Sequence, residues 1–89
     1  GVYATKVHLP DGTVKAAVTN VGLRPTVEDD LGLVVEPWIL DFSGDLYGRT
    51  IRMEFRARLR PERRFESLDD LKAEILRNAE QTRSLFSIK

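Results

Sequence analysis

The chain reads as a mainly β domain, a small antiparallel barrel or curled sheet whose open side is covered by one C-terminal helix. Three observations lead there. Segments that alternate polar and apolar residues occupy most of the first 60 positions, clusters of Gly, Pro and Asp separate them, and after Phe65 the apolar spacing becomes helical. With 89 residues there is room for one domain, and a domain of this size keeps a large share of its surface wet.

Val2 to Leu9 is rich in β-branched and aromatic residues, and Pro10-Asp11-Gly12 has tight-turn chemistry, Pro presetting φ and Gly accepting φ > 0. Thr13 to Asn20 then alternates Val14, Ala16 and Val18 with Lys15, Ala17 and Thr19, which predicts a hairpin and makes Thr19 and Asn20 ordinary residues of its second strand. The segment VGLRPTVEDDLG, Val21 to Gly32, holds two Gly, a Pro and three acids and predicts a surface loop. Leu33 to Leu40 predicts a third strand, with Pro37 implying an edge or bulge position. On a two-residue period Val34, Glu36, Trp38 and Leu40 share one of its faces.

Thr50 to Arg60 has the cleanest alternation, with Ile51, Met53, Phe55, Ala57 and Leu59 predicted on the core side and Arg52, Glu54, Arg56, Arg58 and Arg60 on the wet side. Leu68, Leu71, Ile75, Ala79 and Phe86 form a helical stripe, so a helix is expected over Leu68 to Leu85. Ser67 is its N-cap, and Asp69 and Asp70 in the first turn suit the macrodipole.

Fourteen Lys plus Arg balance fourteen Asp plus Glu, so the net field favours neither nucleic acid nor an anionic membrane as a partner. The arginines between 52 and 64 are interleaved with Glu54 and Glu62, which also argues against a nucleic-acid stripe. The absence of cysteine excludes disulfides and thiolate metal sites, and no apolar run is long enough to span a bilayer. A cytoplasmic location is the expectation. Phosphate loops, dinucleotide-binding glycine patterns and zinc-protease motifs are missing, and the lone His8 reads as an ordinary strand residue.

Glu36 is the candidate for chemistry. A carboxylate among apolar neighbours is short of water and so accepts a proton more readily, as a general base requires. An edge-strand glutamate facing solvent gives the same pattern, because periodicity alone does not say which face is buried.

The residues that follow narrow the choice. Ile39-Leu40-Asp41-Phe42-Ser43-Gly44-Asp45-Leu46-Tyr47-Gly48 resembles the turn that comes a few residues after the catalytic glutamate of riboflavin kinases, and Leu59-Arg60-Pro61-Glu62-Arg63-Arg64-Phe65 resembles that family's flavin-side element. Asn20 to Thr26, NVGLRPT, is similar to the start of its mobile flap. The order matches the riboflavin kinase domain at the C-terminus of bifunctional FAD synthetases. The resemblance implies a Greek-key-like β-barrel of the riboflavin kinase type, closed by its helix, that moves the ATP γ-phosphoryl group to the 5′-hydroxyl of riboflavin to make FMN. It also implies Glu36 as base, contacts to ATP from Ile39, Asp41 and Tyr47, and contacts to flavin from Arg60, Arg63 and Phe65.

Structural readings stand beside these: glycines present for turn geometry, Phe42 and Leu46 plugging the barrel end, and a solvated arginine cluster. The family's Pro-Thr-Ala-Asn segment, whose Thr and Asn hold Mg2+ and the ATP phosphates, would precede Gly1. The expectation is therefore an N-terminally truncated riboflavin kinase domain over residues 1–89, without metal ligands of its own. In the full-length protein its partner would be an adenylyltransferase domain. Exposed strand edges favour self-association, and a flavin- or nucleotide-binding module without catalysis is the alternative function. Glu74 and Asn78 stand where family members often carry Gln and Asp.

Overall fold

The computed structural model describes residues 1–25 and 31–87. Four antiparallel strands precede one helix: β1 (Val2–His8), β2 (Val14–Pro25), β3 (Leu31–Ile39), β4 (Arg52–Arg60) and α1 (Leu68–Leu85). The sheet order is β3-β2-β1-β4. The mainly β class and the C-terminal helix agree with the expectation. Closure does not, since β3 and β4 are the two edges of an open, barrel-like sheet and α1 packs against β2 on one of its faces.

The predicted hairpin forms, with Val2 opposite Asn20 and His8 opposite Val14. Its turn is held by Leu9 N–H donating to Thr13 O (2.8 Å), Gly12 N–H to Leu9 O (3.0 Å) and Thr13 N–H to Asp11 Oδ1 (2.9 Å). Gly12 adopts φ +90°, a conformation that a Cβ disfavours.

The expected surface loop from Val21 to Gly32 is corrected. Residues 21–25 extend β2 and 31–32 begin β3, because the two strands stay in register from Ala17↔Ile39 to Pro25↔Leu31 and their backbone groups go into the ladder. Pro25 is tolerated at the strand end. Positions 26–30, the remainder of the proposed flap, lie outside the described residues.

The simple alternation expected of β4 is also corrected. Met53 packs with Val7, Leu9 and Ala17, whereas Leu59 packs with Val2, Ala16, Val18, Leu40 and Ala79. Residues six apart on an unbroken strand would share a face. The β1–β4 register shifts between Val2 and Tyr3 and again between Ala4 and Thr5, and such bulges re-aim the side chains that follow. Phe55 ends half exposed, edge-on to Tyr3 at 5.3 Å.

The two clusters lie on opposite faces of the sheet. Phe42, Leu46 and Ile51 from the β3–β4 connection cover the Val7 cluster, and α1 covers the Val2 cluster through Ala79. Much of the interior is polar. Thr5, Thr19, Asn78 and Thr82 are among the largest fully buried side chains. Their groups are paired, as burial demands: Thr5 Oγ1 with Thr19 Oγ1 at 2.8 Å, and Thr82 Oγ1 donating to Asn78 O at 2.8 Å.

Ser67 caps α1 as expected, its Oγ accepting from Asp70 N–H at 3.1 Å. The apolar stripe is only partly realised. Leu68 is exposed, and the buried helix residues are Glu74, Asn78, Ala79 and Thr82. Arg77 one turn along the helix, joined by Arg60 and Arg63 from before it, explains why Glu74 tolerates that position.

Candidate active site

A cavity of about 790 Å³ opens between the β2–β3 side of the sheet, the end of β4 and α1. Its polar walls include Asn20, Glu36, Arg60, Arg63 and Asn78, with Glu62 at the rim, and its apolar walls include Val2, Trp38, Phe65 and Ile75. Alternation explains the gathering. Asn20 lies opposite Glu36 and opposite Val2, Val18 lies opposite Trp38, and Val2 lies opposite Arg60, so all point to the helix-covered face.

Glu36 therefore shares one chamber with the Arg60-to-Phe65 element, as the proposed pairing of base and flavin element requires. The dry setting expected for it is corrected. Glu36 is exposed, because β3 is an edge strand and its neighbours Val35 and Trp38 are themselves 43% and 44% accessible.

The flavin-side candidates form a tight group. The Arg60 guanidinium lies 5.4 Å and that of Arg63 4.5 Å from the centre of the Phe65 ring, a cation–π arrangement that fixes the plane of the aromatic wall. Arg60 donates from Nε to Asn78 Oδ1 (3.0 Å) and from Nη1 to Pro61 O (3.2 Å). Behind them is Glu74, 6% exposed, which accepts from Arg77 at 2.8 Å and stands 3.8 Å from Arg60 Nε and 3.6 Å from Arg63 Nη2. The Arg77 hydrogen bond outweighs the opposing effect of burial, and with the charges of Arg77, Arg63 and Arg60 it holds the Glu74 carboxyl below its ordinary value.

Ile39, Asp41 and Tyr47 are not brought to this chamber. Ile39 packs on the Val7 cluster of the opposite face. Asp41 sits at φ +54° just after β3 and accepts from Arg83 Nη2 at 3.2 Å, tying the turn to the end of α1. Tyr47 is 94% exposed, and its backbone N–H donates to Asp45 Oδ1 at 2.8 Å. Among the described residues no three His, Asp or Glu side chains stand close enough to hold a metal ion. His8 has a partner after all, Glu54 Oε1 at 2.5 Å, well removed from the cavity in the sheet register.

Sequence reasoning missed Asn20, Trp38 and Asn78. The visible signal for Asn20 was an amide at the inward position of a strand otherwise filled there by Ala16 and Val18.

Comparison with known proteins gives a consistent result. A family model described as Flavokinase: Riboflavin kinase matches residues 1–86. A bifunctional riboflavin kinase/FMN adenylyltransferase of Haemophilus influenzae is 39% identical over 87 residues, which cover 98% of this chain and 28% of that protein. The Escherichia coli K12 protein of the same name is 41% identical over 88 residues, 99% of this chain and 28% of its own length. An RNA-binding riboflavin kinase RibR of Bacillus subtilis is 37% identical over 75 residues, covering 84% of this chain and 31% of that protein. A crystal structure described as a macrolide-efflux protein from Streptococcus pneumoniae superposes with a TM-score of 0.84 at 30% identity, covering 93% of this chain and 27% of that one. The chain thus spans under a third of the length of these relatives.

Proposed function

Because the chain belongs to the riboflavin kinase family, we propose that it transfers the γ-phosphoryl group of ATP to the 5′-hydroxyl of riboflavin, giving FMN and ADP. The observation that carries this reading is the single cavity shared by Glu36 and the Arg60–Phe65 element. In the reaction the 5′-oxygen forms a bond to the γ-phosphorus while the bond from that phosphorus to the β,γ-bridging oxygen breaks. Glu36 takes the hydroxyl proton and passes it to solvent, to which its edge-strand position gives access.

Flavin fits the opposite end of the chamber. The Phe65 ring and the guanidinium groups of Arg60 and Arg63 offer planar surfaces and hydrogen-bond donors suited to a flat ring with a carbonyl edge. Glu74 and Asn78 keep Arg60 aimed, so the ring is met by a wall already in place. Ile39 at the end of β3, with Asp41 and Tyr47 in the connection that follows it, remain the candidates for ATP, on a stretch separate from the flavin wall. Magnesium comes with ATP and neutralises phosphate charge. The steps assigned to this chain's own residues are binding, orientation and proton removal.

The reading extends to context. Residues 1–89 would serve as the kinase unit of a longer enzyme that also carries an adenylyltransferase unit, a view supported by relatives that are bifunctional and of which this chain covers 28%. Use of ATP implies a cytoplasmic setting. Among the described residues no helix is long and apolar enough to cross a membrane. Titration with riboflavin followed by flavin fluorescence, and then assay of FMN with Mg-ATP, tests the proposal. Binding with turnover supports it; binding without turnover reduces the protein to a flavin-binding module; no binding removes the reading.

A further inference from the structure

Asn20 Oδ1 is buried and accepts no hydrogen bond from any described residue. Orphaned buried acceptors are uncommon, since leaving one unpaired forfeits its hydration without return. Among the described residues this is the one buried side-chain N or O atom left in that condition, and its residue lines the cavity that contains Glu36. The other buried hydroxyls and amides, Thr5, Thr19, Thr82 and Asn78, are all paired. Oδ1 itself has no surface open to the chamber that its residue lines, so a turn of the Asn20 amide is what presents this acceptor to a donor that arrives with the ligand.

Register says which part of the ligand that donor belongs to. Asn20 on β2 and Glu36 on β3 are direct cross-strand partners on the cavity face, and such partners have Cβ atoms about 4.5–5.5 Å apart. The aromatic wall is provided elsewhere, by Phe65 beyond the end of β4. Two acceptors this close can take two neighbouring hydroxyls of one chain; they do not span from a reacting hydroxyl to a ring.

We infer that Asn20 Oδ1 accepts a hydrogen bond from the polyol hydroxyl next to the one Glu36 deprotonates, the 4′-hydroxyl, and so makes the site selective for a hydroxylated chain and fixes which hydroxyl faces the base. This rests on the riboflavin reading above and adds a specificity-determining residue to it. A bare alkyl alcohol in the same place would leave Oδ1 buried and unpaired, and a site that hydrogen-bonds a substrate hydroxyl discriminates against analogues without it. Asn20 touches the chain that carries the reacting group and transfers no proton itself.

The test is a binding titration, by flavin fluorescence, of riboflavin and 4′-deoxyriboflavin against the wild-type protein and Asn20→Ala. Wild type should bind riboflavin roughly tenfold or more tightly than the deoxy analogue. Asn20→Ala should bind the two alike, near the wild-type affinity for the analogue. Equal binding of both ligands by wild type overturns the inference without need of any variant, which keeps it open to refutation even if Asn20→Ala does not fold. A preference for riboflavin that survives in Asn20→Ala also overturns it. Failure of wild type to bind riboflavin at all is a different result, removing the flavin reading and this inference together.

Discussion

Arg60, the last residue of β4, donates from Nε to Asn78 Oδ1 on α1 at 3.0 Å, so two walls of the cavity are joined by one hydrogen bond. The strand end and the helix also meet through Leu59 packed in the cluster with Ala79 and through Arg60 Nε standing 3.8 Å from Glu74 Oε1, while the segment from Pro61 to Ser67 that links them in sequence has no ladder of its own. The geometry of the chamber therefore depends on these polar contacts as well as on apolar packing.

Asn78→Ala tests that dependence. Asn78 is 1% exposed, and its amide also donates to Gln81 Oε1 at 3.0 Å. Removing it leaves Arg60, with a side chain only 16% accessible, short of an acceptor. The expected loss is about 1–3 kcal/mol, read as a lowered urea midpoint with unchanged slope, and Asn78→Asp, which keeps the acceptor, should lose less. An unchanged midpoint in Asn78→Ala would mean that the bond carries nothing.

Glu74 sets an acid limit. Its folded carboxyl lies below the ordinary value of 4.5, chiefly through the Arg77 hydrogen bond, so its contribution to stability is fully present above about pH 4.5 and is lost as pH falls through the folded value. The stability gap between wild type and Glu74→Gln should thus be widest near neutrality and narrow below pH 4.5, measured by denaturant unfolding across pH. A gap that stays constant from neutral to acid pH would contradict the role given to this carboxylate.

Gly22→Ala should separate fold from site. A Cβ at Gly22 would collide with the Glu62 carboxylate, which is the end of a flexible, exposed side chain at the cavity rim. Glu62 can swing away, and Ala is the better strand residue, so unfolding stability should stay within about 1 kcal/mol of wild type. The KM for riboflavin should rise severalfold as the rim rearranges. Loss of more than roughly 2 kcal/mol would show that Gly22 serves the fold instead.

Local features were the legible part of the fold. The Pro10-Asp11-Gly12 turn, the Ser67 cap and the alternation of Val14 to Val18 depend on residues near one another in sequence, and each appears in the structure. Extension of β2 to Pro25 was hidden because Gly22 and Pro25 carry loop chemistry locally, while pairing with β3 decides the outcome. The bulges that send Met53 and Leu59 to opposite clusters arise from how β4 fits β1, which no single-strand pattern encodes.

The site divides in the same way. Placing Glu36 with Arg60 and Phe65 was readable only through the resemblance of the Ile39-to-Gly48 and Leu59-to-Phe65 segments to the riboflavin kinase family, since alternation left the Glu36 face open and the bulges of β4 decide where Arg60 points. The exposure of Glu36 was half readable: Pro37 pointed to an edge, which β3 is, but periodicity alone left open whether the Glu36 face was covered. Asn20 and Asn78 were missed as wall residues because an isolated amide has no motif, and its meaning depends on what register and helix packing set beside it.

The most direct measurement is the rate of FMN formation from riboflavin and Mg-ATP by wild type and Glu36→Gln, with riboflavin affinity determined in parallel. Loss of the base should lower turnover by about 10²–10⁴-fold while riboflavin still binds within a fewfold of wild type. Wild-type turnover by Glu36→Gln would contradict the assignment of the proton acceptor, and with it the reading of the cavity as the place where the phosphoryl group is received.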